Sequence, residues 1–364
     1  MSIHFNHNSK IRETSGILVG VGGKVREVKE VYAGRNGNPE LVWSRGISSK
    51  YIYVTGNNSY YSNDLITWKA MKGEVLSWRE NKGGVVAGKD AVINWSSGEN
   101  TLKVSKTGTS WVTYTDDEPI RGVVYGKDIF LKINHTLNNA DIKISTSTDG
   151  LNWSSKVTLT QSGDNRYIEP YLYYLNNEFV IVEGGDGNVL YTSGDGVKWD
   201  KRTNYNEHFS DNNGTCEFTP KILTYGKGIY AGHIYYKRGQ YTIAYCNSLT
   251  GKWQAVKEGY FDLTTYEENP SQSLYANGRF FIMIYRSSGN NFSCFESSDG
   301  TNFNEIDGLN GFQSVAFDGN RFIGIKFDGT IYTKNAAYTG SWEQAGTLPE
   351  AGRRAGVGIY YTGK

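Results

Sequence analysis

A seven-residue phrase, Ser-x-Asp-Gly-x-x-Trp, recurs along this chain at a nearly regular interval, and that recurrence restricts the possible folds more than any other feature. The copies "STDGLNW" and "SGDGVKW" carry Ser147, Asp149, Gly150 and Trp153, then Ser193, Asp195, Gly196 and Trp199. "SSDGTNF" repeats it with Ser297, Asp299, Gly300 and Phe303. "SNDLITW" (Ser62, Asp64, Trp68) and "SKTGTSW" (Ser105, Trp111) keep the Ser-to-aromatic spacing with substitutions between. Two degenerate copies, "CNSLTGKW" ending at Trp253 and "YTKNAAYTGSW" ending at Trp342, bring the total to seven.

The chemistry of each copy is that of a stitched turn. Asp and Ser oxygens accept hydrogen bonds from nearby main-chain N–H groups, and Gly supplies a positive φ. The aromatic then opens the returning strand and offers a large apolar face to its neighbour. Successive aromatics lie 39 to 54 residues apart, the interval of a four-stranded propeller blade. Each was expected to be buried between blades and to contribute roughly 1.5–3 kcal/mol.

A second phrase, a turn followed by an apolar strand, precedes the stitched turn. It reads "YGKDIFLKI" (125–133), "LNNEFVIVE" (175–183), "YGKGIYAGH" (225–233), "ANGRFFIMI" (276–284) and "DGNRFIGIK" (318–326). Each unit is therefore strand a, turn, strand b, loop, strand c, stitched turn, strand d. The first unit starts at "KYIYVTG" (50–56) and lacks strand a, while "RAGVGIYYTGK" (354–364) is an orphan strand a. The expected fold is an all-β, seven-bladed β-propeller over 47–364, its ring closed by the C-terminal strand joining the first blade. Closure removes the exposed strand edges that an open array would leave. Abundant Gly (44) and 14% aromatic residues suit such a chain, and no long 3.6-period apolar segment argues for helix.

The repeats resemble the Asp-box of sialidase-type and related propellers, whose usual form is Ser-x-Asp-x-Gly-x-x-Trp; here one residue fewer separates Asp from Gly. The resemblance covers residues 50–364 and speaks to fold, since Asp-boxes occur in many propellers without glycosidase activity. A sialidase also needs an arginine triad, a Tyr/Glu nucleophile pair and an acid Asp. Its first arginine lies in a Phe/Tyr-Arg-Ile-Pro motif, which is missing here; "PIRG" (119–122) has another order, and Arg121 reads as a strand residue.

Residues 18–28 and 32–42 repeat at a 14-residue offset, Gly20 matching Gly34 and Gly23 matching Gly37, and read as two short hairpins. "GVGGK" lacks phosphate-loop spacing and a following helix. This stretch resembles a short Gly-rich repeat of phage and prophage tail proteins. The resemblance implies that residues 1–46 form a small β module attaching the propeller to other tail or baseplate proteins, with "SRGISSK" (44–50) as linker.

Net charge of +1 gives no electrostatic case for nucleic acid or an anionic membrane as partner. No apolar run reaches the ~18–20 residues of a spanning helix, so no membrane insertion is expected. The start, "MSIHFNHNSK", has no apolar core of a signal peptide, which points to synthesis in a cytoplasm; the tail-protein resemblance implies a bacterial host and residence in a virion tail. Cys216, Cys246 and Cys294 are odd in number and widely spaced, reading as buried small hydrophobes. His135, His208 and His233 lack ligand spacing, and Glu183 and Asp186 in "IVEGGDGN" lack a calcium-loop series. No metal, cofactor or catalytic group is assigned.

In this topology b–c loops and d–a connections share one end of the ring, and insertions concentrate there. They are 201–217, 256–270, "WSSGEN" (95–100), "NHTLNNAD" (134–141) and "YYKRGQ" (235–240). Candidate ligand contacts are Trp95, Tyr205, His208, Asp211, Arg238, Tyr260, Tyr266 and Glu267, since aromatic rings, amides and carboxylates suit sugars. The leading expectation is a non-enzymatic host-surface recognition protein, taking a glycan or protein receptor, in several copies on a symmetric particle. The alternatives are a glycan-cleaving Asp-box enzyme and a purely structural or decoration propeller.

Overall fold

The computed structural model describes the backbone of strands between residues 17 and 44, and most of 49–362. Outside the description lie 56–57, 77–82, 137–140, 155, 161–169, 184–188, 203–209, 212–213, 216–218, 238–239, 252, 257–260, 263–271, 287–290, 307–311, 327 and 351–357. Within strands, the side chains of 210–211, 214–215, 219–221, 234–237, 240–241, 261–262, 285–286 and 291 are also undescribed.

Seven sheets of antiparallel strands follow one another in sequence. Blade 3 shows the plan, with strands a to d at Ile120–Gly126, Ile129–His135, Asp141–Ser147 and Val157–Thr160. The other covalently continuous inner strands are Gly83–Ala87, Tyr171–Leu175, Thr219–Gly226, Gln272–Ala276 and Phe312–Phe317. In blade 1 the inner strand is Gly358–Tyr361, paired with Tyr51–Val54. Each inner strand packs beside the next, round to the first. The chain is a closed seven-bladed β-propeller.

Closure copies a covalent turn. In blade 7 the a–b turn is held by Asp318 N–H donating to Arg321 O (3.1 Å), and in blade 2 by Gly88 N–H to Ala91 O (2.8 Å). Across the chain ends, Thr362 N–H donates to Lys50 O at 2.9 Å in the same position. The Thr362 hydroxyl adds a bond to Lys50 O at 3.1 Å.

The core is divided among seven apolar clusters, one per blade–blade interface, and each contains one motif aromatic. Trp111 sits between blades 1 and 2, Trp153 between 2 and 3, and Trp199 between 3 and 4. Trp253, Phe303, Trp342 and Trp68 occupy the next four interfaces in turn. The expectation that all seven aromatics are buried needs correction: Trp111, Trp253 and Phe303 are buried, whereas Trp68, Trp153, Trp199 and Trp342 are only partly so. Trp153 also does not open its strand directly, because strand d of blade 3 begins at Val157.

A second aromatic system lines the inner strands. Tyr125–Phe130, Tyr174–Phe179, Tyr225–Tyr230, Tyr275–Phe280 and Phe317–Phe322 are cross-strand a–b pairs with ring centroids 4.5–5.0 Å apart. Tyr51–Tyr361 completes a sixth pair across the closure at 5.9 Å. Tyr275 lies so close to blade 5 that a Cβ at Gly226 would stand 2.2 Å from its ring. Only glycine admits that approach.

The stitched turns fold as their chemistry requires. Asp149 Oδ1 accepts from Leu151 and Asn152 N–H (2.9 and 2.8 Å), and Ser147 Oγ accepts from Gly150 N–H (2.9 Å). Trp153 Nε1 donates to Gly150 O at 3.0 Å. The residue after Asp has positive φ in each: Gly150, Gly196 and Gly300 at 76–80°, but Leu65 at 70° in blade 1. Leu65 is fully buried between blades 1 and 7. Relieving its backbone strain is worth about 1–2 kcal/mol, whereas deleting a buried Leu side chain costs about 2–5 kcal/mol. Packing wins, so Leu65→Gly is expected to lower the urea midpoint despite the relaxed turn.

The N-terminal repeat forms two hairpins, Ile17–Val21 with Lys24–Val28 and Glu30–Arg35 with Asn38–Ser44.

Candidate functional site

The stitched turns account for the carboxylates they contain. Asp64 is held at about 2 by N–H donation from Thr67 and Ile66. Asp149 is pushed up by burial, yet the N–H groups of Asn152 and Leu151 keep it well below the ordinary carboxylate range. Asp195 is lowered by Lys198 and Val197 N–H, and Asp299 by Asn302 and Thr301. These groups are lowered on folding, so their contribution is complete above the unfolded Asp value of about 3.9 and is lost as pH falls through the folded one. The urea midpoint is expected to drop between about pH 4 and pH 2, less steeply in Asp64→Asn than in the parent. An identical slope in the two proteins would refute a role for Asp64. Committed in this way to backbone N–H groups, the turn aspartates are poor acids or bases.

At the opposite end of the ring, charge gathers between blades 2 and 3. The segment Asp116–Glu118 follows strand Val112–Thr115 and meets three lysines. Lys132 is buried and ion-paired with Asp116, and its ammonium lies 4.8 Å from the Tyr114 ring centroid and 4.7 Å from that of Trp153. Burial, then the Lys156 charge, push Lys132 down to about 7, against the pull of its carboxylate partner. Lys156 bridges Asp116 (3.1 Å), Asp117 and Glu118 (3.1 Å), and Lys143 takes the other Glu118 oxygen. Every carboxylate of this segment is thus occupied by a lysine. The arrangement clamps blade 2 to blade 3 and offers no unengaged acid–base pair.

Arg121 is a strand residue, as its sequence context implies, but it sits on a β-bulge between Ile120 and Gly122. The bulge recurs at the same inner-strand position in blade 5, between Pro220 and Ile222, and in blade 7, between Phe312 and Ser314. Bulges re-aim side chains. Here Arg121 Nε donates to His135 O (3.0 Å) and Gln313 Nε2 to Lys326 O (3.4 Å), tying each inner strand to the end of strand b.

Of the proposed ligand contacts, Trp95 is described in full. It belongs to strand Val92–Ser96, half-buried against the cluster between blades 2 and 3. Asp211 lies in strand Ser210–Asp211, which pairs with Gly214–Thr215. Tyr205, His208, Arg238, Tyr260, Tyr266 and Glu267 fall outside the described residues, as do Cys216 and Asp186. Cys246 and Cys294 are buried and unbridged. His135 and His233 are buried, and so is Glu183, whose charge raises the buried Tyr191 phenol further. Among the described residues, no three His, Cys, Asp or Glu side chains come together to hold a metal ion.

The backbone shows where three of the insertions go: two add to blade 5 and one lies just before it in sequence. The first forms the small Ser210–Asp211/Gly214–Thr215 ladder just before the blade. "YYKRGQ" is largely strand rather than loop: Ile229–Lys237 and Gln240–Cys246 extend the b–c hairpin, with a bulge between Tyr235 and Lys237. The third insertion contributes strand Phe261–Asp262, which pairs with Tyr241 and Gln240 on the same hairpin. Blade 5 therefore carries a fifth strand and the longest hairpin of the ring. Sequence reasoning found these segments without seeing that the last two pair with each other on one blade.

No protein-family model matches the chain, and no curated protein matches it. Among solved structures, a protein from Lactobacillus plantarum is similar at a TM-score of 0.54 and 10% identity, over 86% of this chain and 99% of that one. The fold is what they share. Weaker likenesses are to an acylaminoacyl peptidase from Pyrococcus horikoshii (TM-score 0.49, 11% identity, 81% of this chain and 48% of that one) and to a GH74 enzyme from Niastella koreensis (TM-score 0.47, 12% identity, 83% and 54%). Neither is close enough to bear on activity.

Proposed function

We propose that the chain is an attachment protein of a phage or prophage tail, presenting the b–c end of blade 5 to a host-surface receptor, a glycan by preference. The observation that carries this reading is that two insertions add to the same hairpin of one blade of a closed ring, with a third insertion just before that blade in sequence. Binding residues are commonly borne by extra segments on a rigid scaffold. Those segments carry Tyr205, His208, Asp211, Arg238, Tyr260, Tyr266 and Glu267, a mixture suited to stacking on sugar rings and bonding their hydroxyls.

The Asp-box resemblance supports the scaffold role, and the tail-like repeat in residues 17–44 supports anchorage through tail or baseplate proteins. Several copies on a symmetric particle would raise weak single-site affinity through avidity. The double variant Tyr260→Ala/Tyr266→Ala is expected to lose binding to host cells about tenfold or more, since truncating an anchoring interface tyrosine commonly costs more than ~1 kcal/mol. Its melting temperature should stay near that of the parent. Unchanged cell binding would sink the assignment of blade 5.

A further inference from the structure

Between blades 2 and 3, Lys132 and Asp116 form an ion pair in which both side chains are shut away from water, 1% and 2% exposed. Lys132 comes from strand b of blade 3, and Asp116 from the segment that follows strand d of blade 2. The Lys132 Nζ touches Asp116 Oδ2 and donates to the Tyr114 hydroxyl at 3.2 Å. The Tyr114 and Trp153 rings, their centroids 6.0 Å apart, roof it over. The carboxyl is held from its other oxygen. Asp116 Oδ1 accepts from the Asp117 N–H at 2.8 Å and from Lys156 Nζ at 3.1 Å.

Two features set this pair apart from a plain clamp. The first is the amine. Burial brings the Lys132 ammonium down to about 7, so near neutral pH a large share of it is the free amine, the nucleophilic form. The second is the asymmetry of the carboxyl. Two donors on one oxygen, with the amine at the other, is the arrangement that stabilises a tetrahedral oxyanion while the second oxygen departs. The surroundings also tolerate the loss of the pair. Without Lys132 and Asp116, the cations of Lys143 and Lys156 still match the carboxylates of Asp117 and Glu118.

We propose that Lys132 and Asp116 condense into an intramolecular isopeptide bond that staples blade 2 to blade 3. The ammonium passes one proton to Asp116 Oδ2, and the nitrogen lone pair attacks Cγ. The charge that develops on Oδ1 falls between the Asp117 N–H and Lys156. A second nitrogen proton, relayed by the Tyr114 hydroxyl, joins Oδ2, the Cγ–Oδ2 bond breaks, and water leaves. One N–C bond forms and one C–O bond breaks, with no oxidant, reductant or co-reactant. Bulk water opposes such a condensation, but groups fixed in contact react as though at ~10⁵–10⁸ M, and a dry site withholds the water of the reverse step. The amide also replaces two buried charges, removing their desolvation penalty.

The test is mass spectrometry of the full chain, freshly purified and denatured. The main species should be lighter than its sequence by one water. Asp-Gly turns also lose water when they cyclise, so the deciding measurement is a tryptic digest. It should contain a branched peptide joining 107–121 to 128–143, uncut at Lys132, with fragmentation placing the link on Asp116. Lys132→Arg and Asp116→Ala should remove that peptide, but each disturbs a buried pair and threatens the fold. Lys156 is partly exposed, so Lys156→Met should keep the fold and slow the bond about a hundredfold in chains followed from synthesis, the usual loss for one oxyanion donor. Recovery of 107–121 and 128–132 as separate peptides in full yield, a link to Asp117 or Glu118 instead, or Lys156→Met coupling at the parent rate would each overturn the proposal.

Discussion

A chain that stops at residue 357 is expected to give no cooperative thermal transition and to aggregate, whereas one that stops at Thr362 should melt like the parent. The shorter chain loses strand Gly358–Tyr361, which pairs residue for residue with Tyr51–Val54. Ile359 is 2% exposed in the interface of blades 7 and 1, where Tyr361 also packs, and Tyr360 packs into the interface of blades 1 and 2. The Tyr360 hydroxyl further engages the Val85 backbone and the Gln272 side chain, linking blade 1 to blades 2 and 6. Burial of Ile359 alone is worth ~1.5–3 kcal/mol, and each tyrosine adds a comparable amount. The total approaches the ~5–15 kcal/mol that stabilises a typical domain. It also leaves Tyr51–Val54, an apolar strand, with an unpaired edge that invites association between chains. Circular dichroism melts and size-exclusion profiles of the two truncations decide the matter; a cooperative, monomeric 1–357 chain would mean that the ring does not depend on its closure.

The second large effect separates two aromatics that the repeat makes equivalent. Trp253, in a degenerate copy, is 2% exposed among Val180, Val182, Leu190 and Leu223, and Trp253→Ala should cost about 3–5 kcal/mol. Trp199, in a well-kept copy, is only partly buried, and Trp199→Ala should cost about 1–2 kcal/mol. Urea midpoints with unchanged slopes measure both. The reverse order would show that fidelity to the motif, rather than burial, sets the contribution of each aromatic.

The blade count, the strand order and the closure were legible in the sequence because they depend on spacing, and spacing survives substitution. Ser147, Asp149 and Trp153 announce a turn whatever surrounds them. The six inner aromatic pairs were equally available, since Tyr125, Tyr225 and Tyr275 each stand five residues before Phe130, Tyr230 and Phe280, but attention to the Ser/Asp turn passed over them. Burial of individual tryptophans was not legible, because it depends on how far each blade edge reaches past its neighbour. The clamp of Lys132, Asp116 and Lys156 joins residues up to 40 positions apart on different blades and leaves no local pattern.

The central claim, a closed propeller that recognises a host-surface glycan without cleaving it, is tested most directly by one mixing experiment. The full chain is incubated with bacterial cells and with their purified surface polysaccharides, and bound protein and released reducing sugar are scored in the same samples. The account predicts saturable binding with no sugar released. Release of reducing sugar would contradict it in favour of an enzyme, and the absence of any binding would contradict the proposed recognition role.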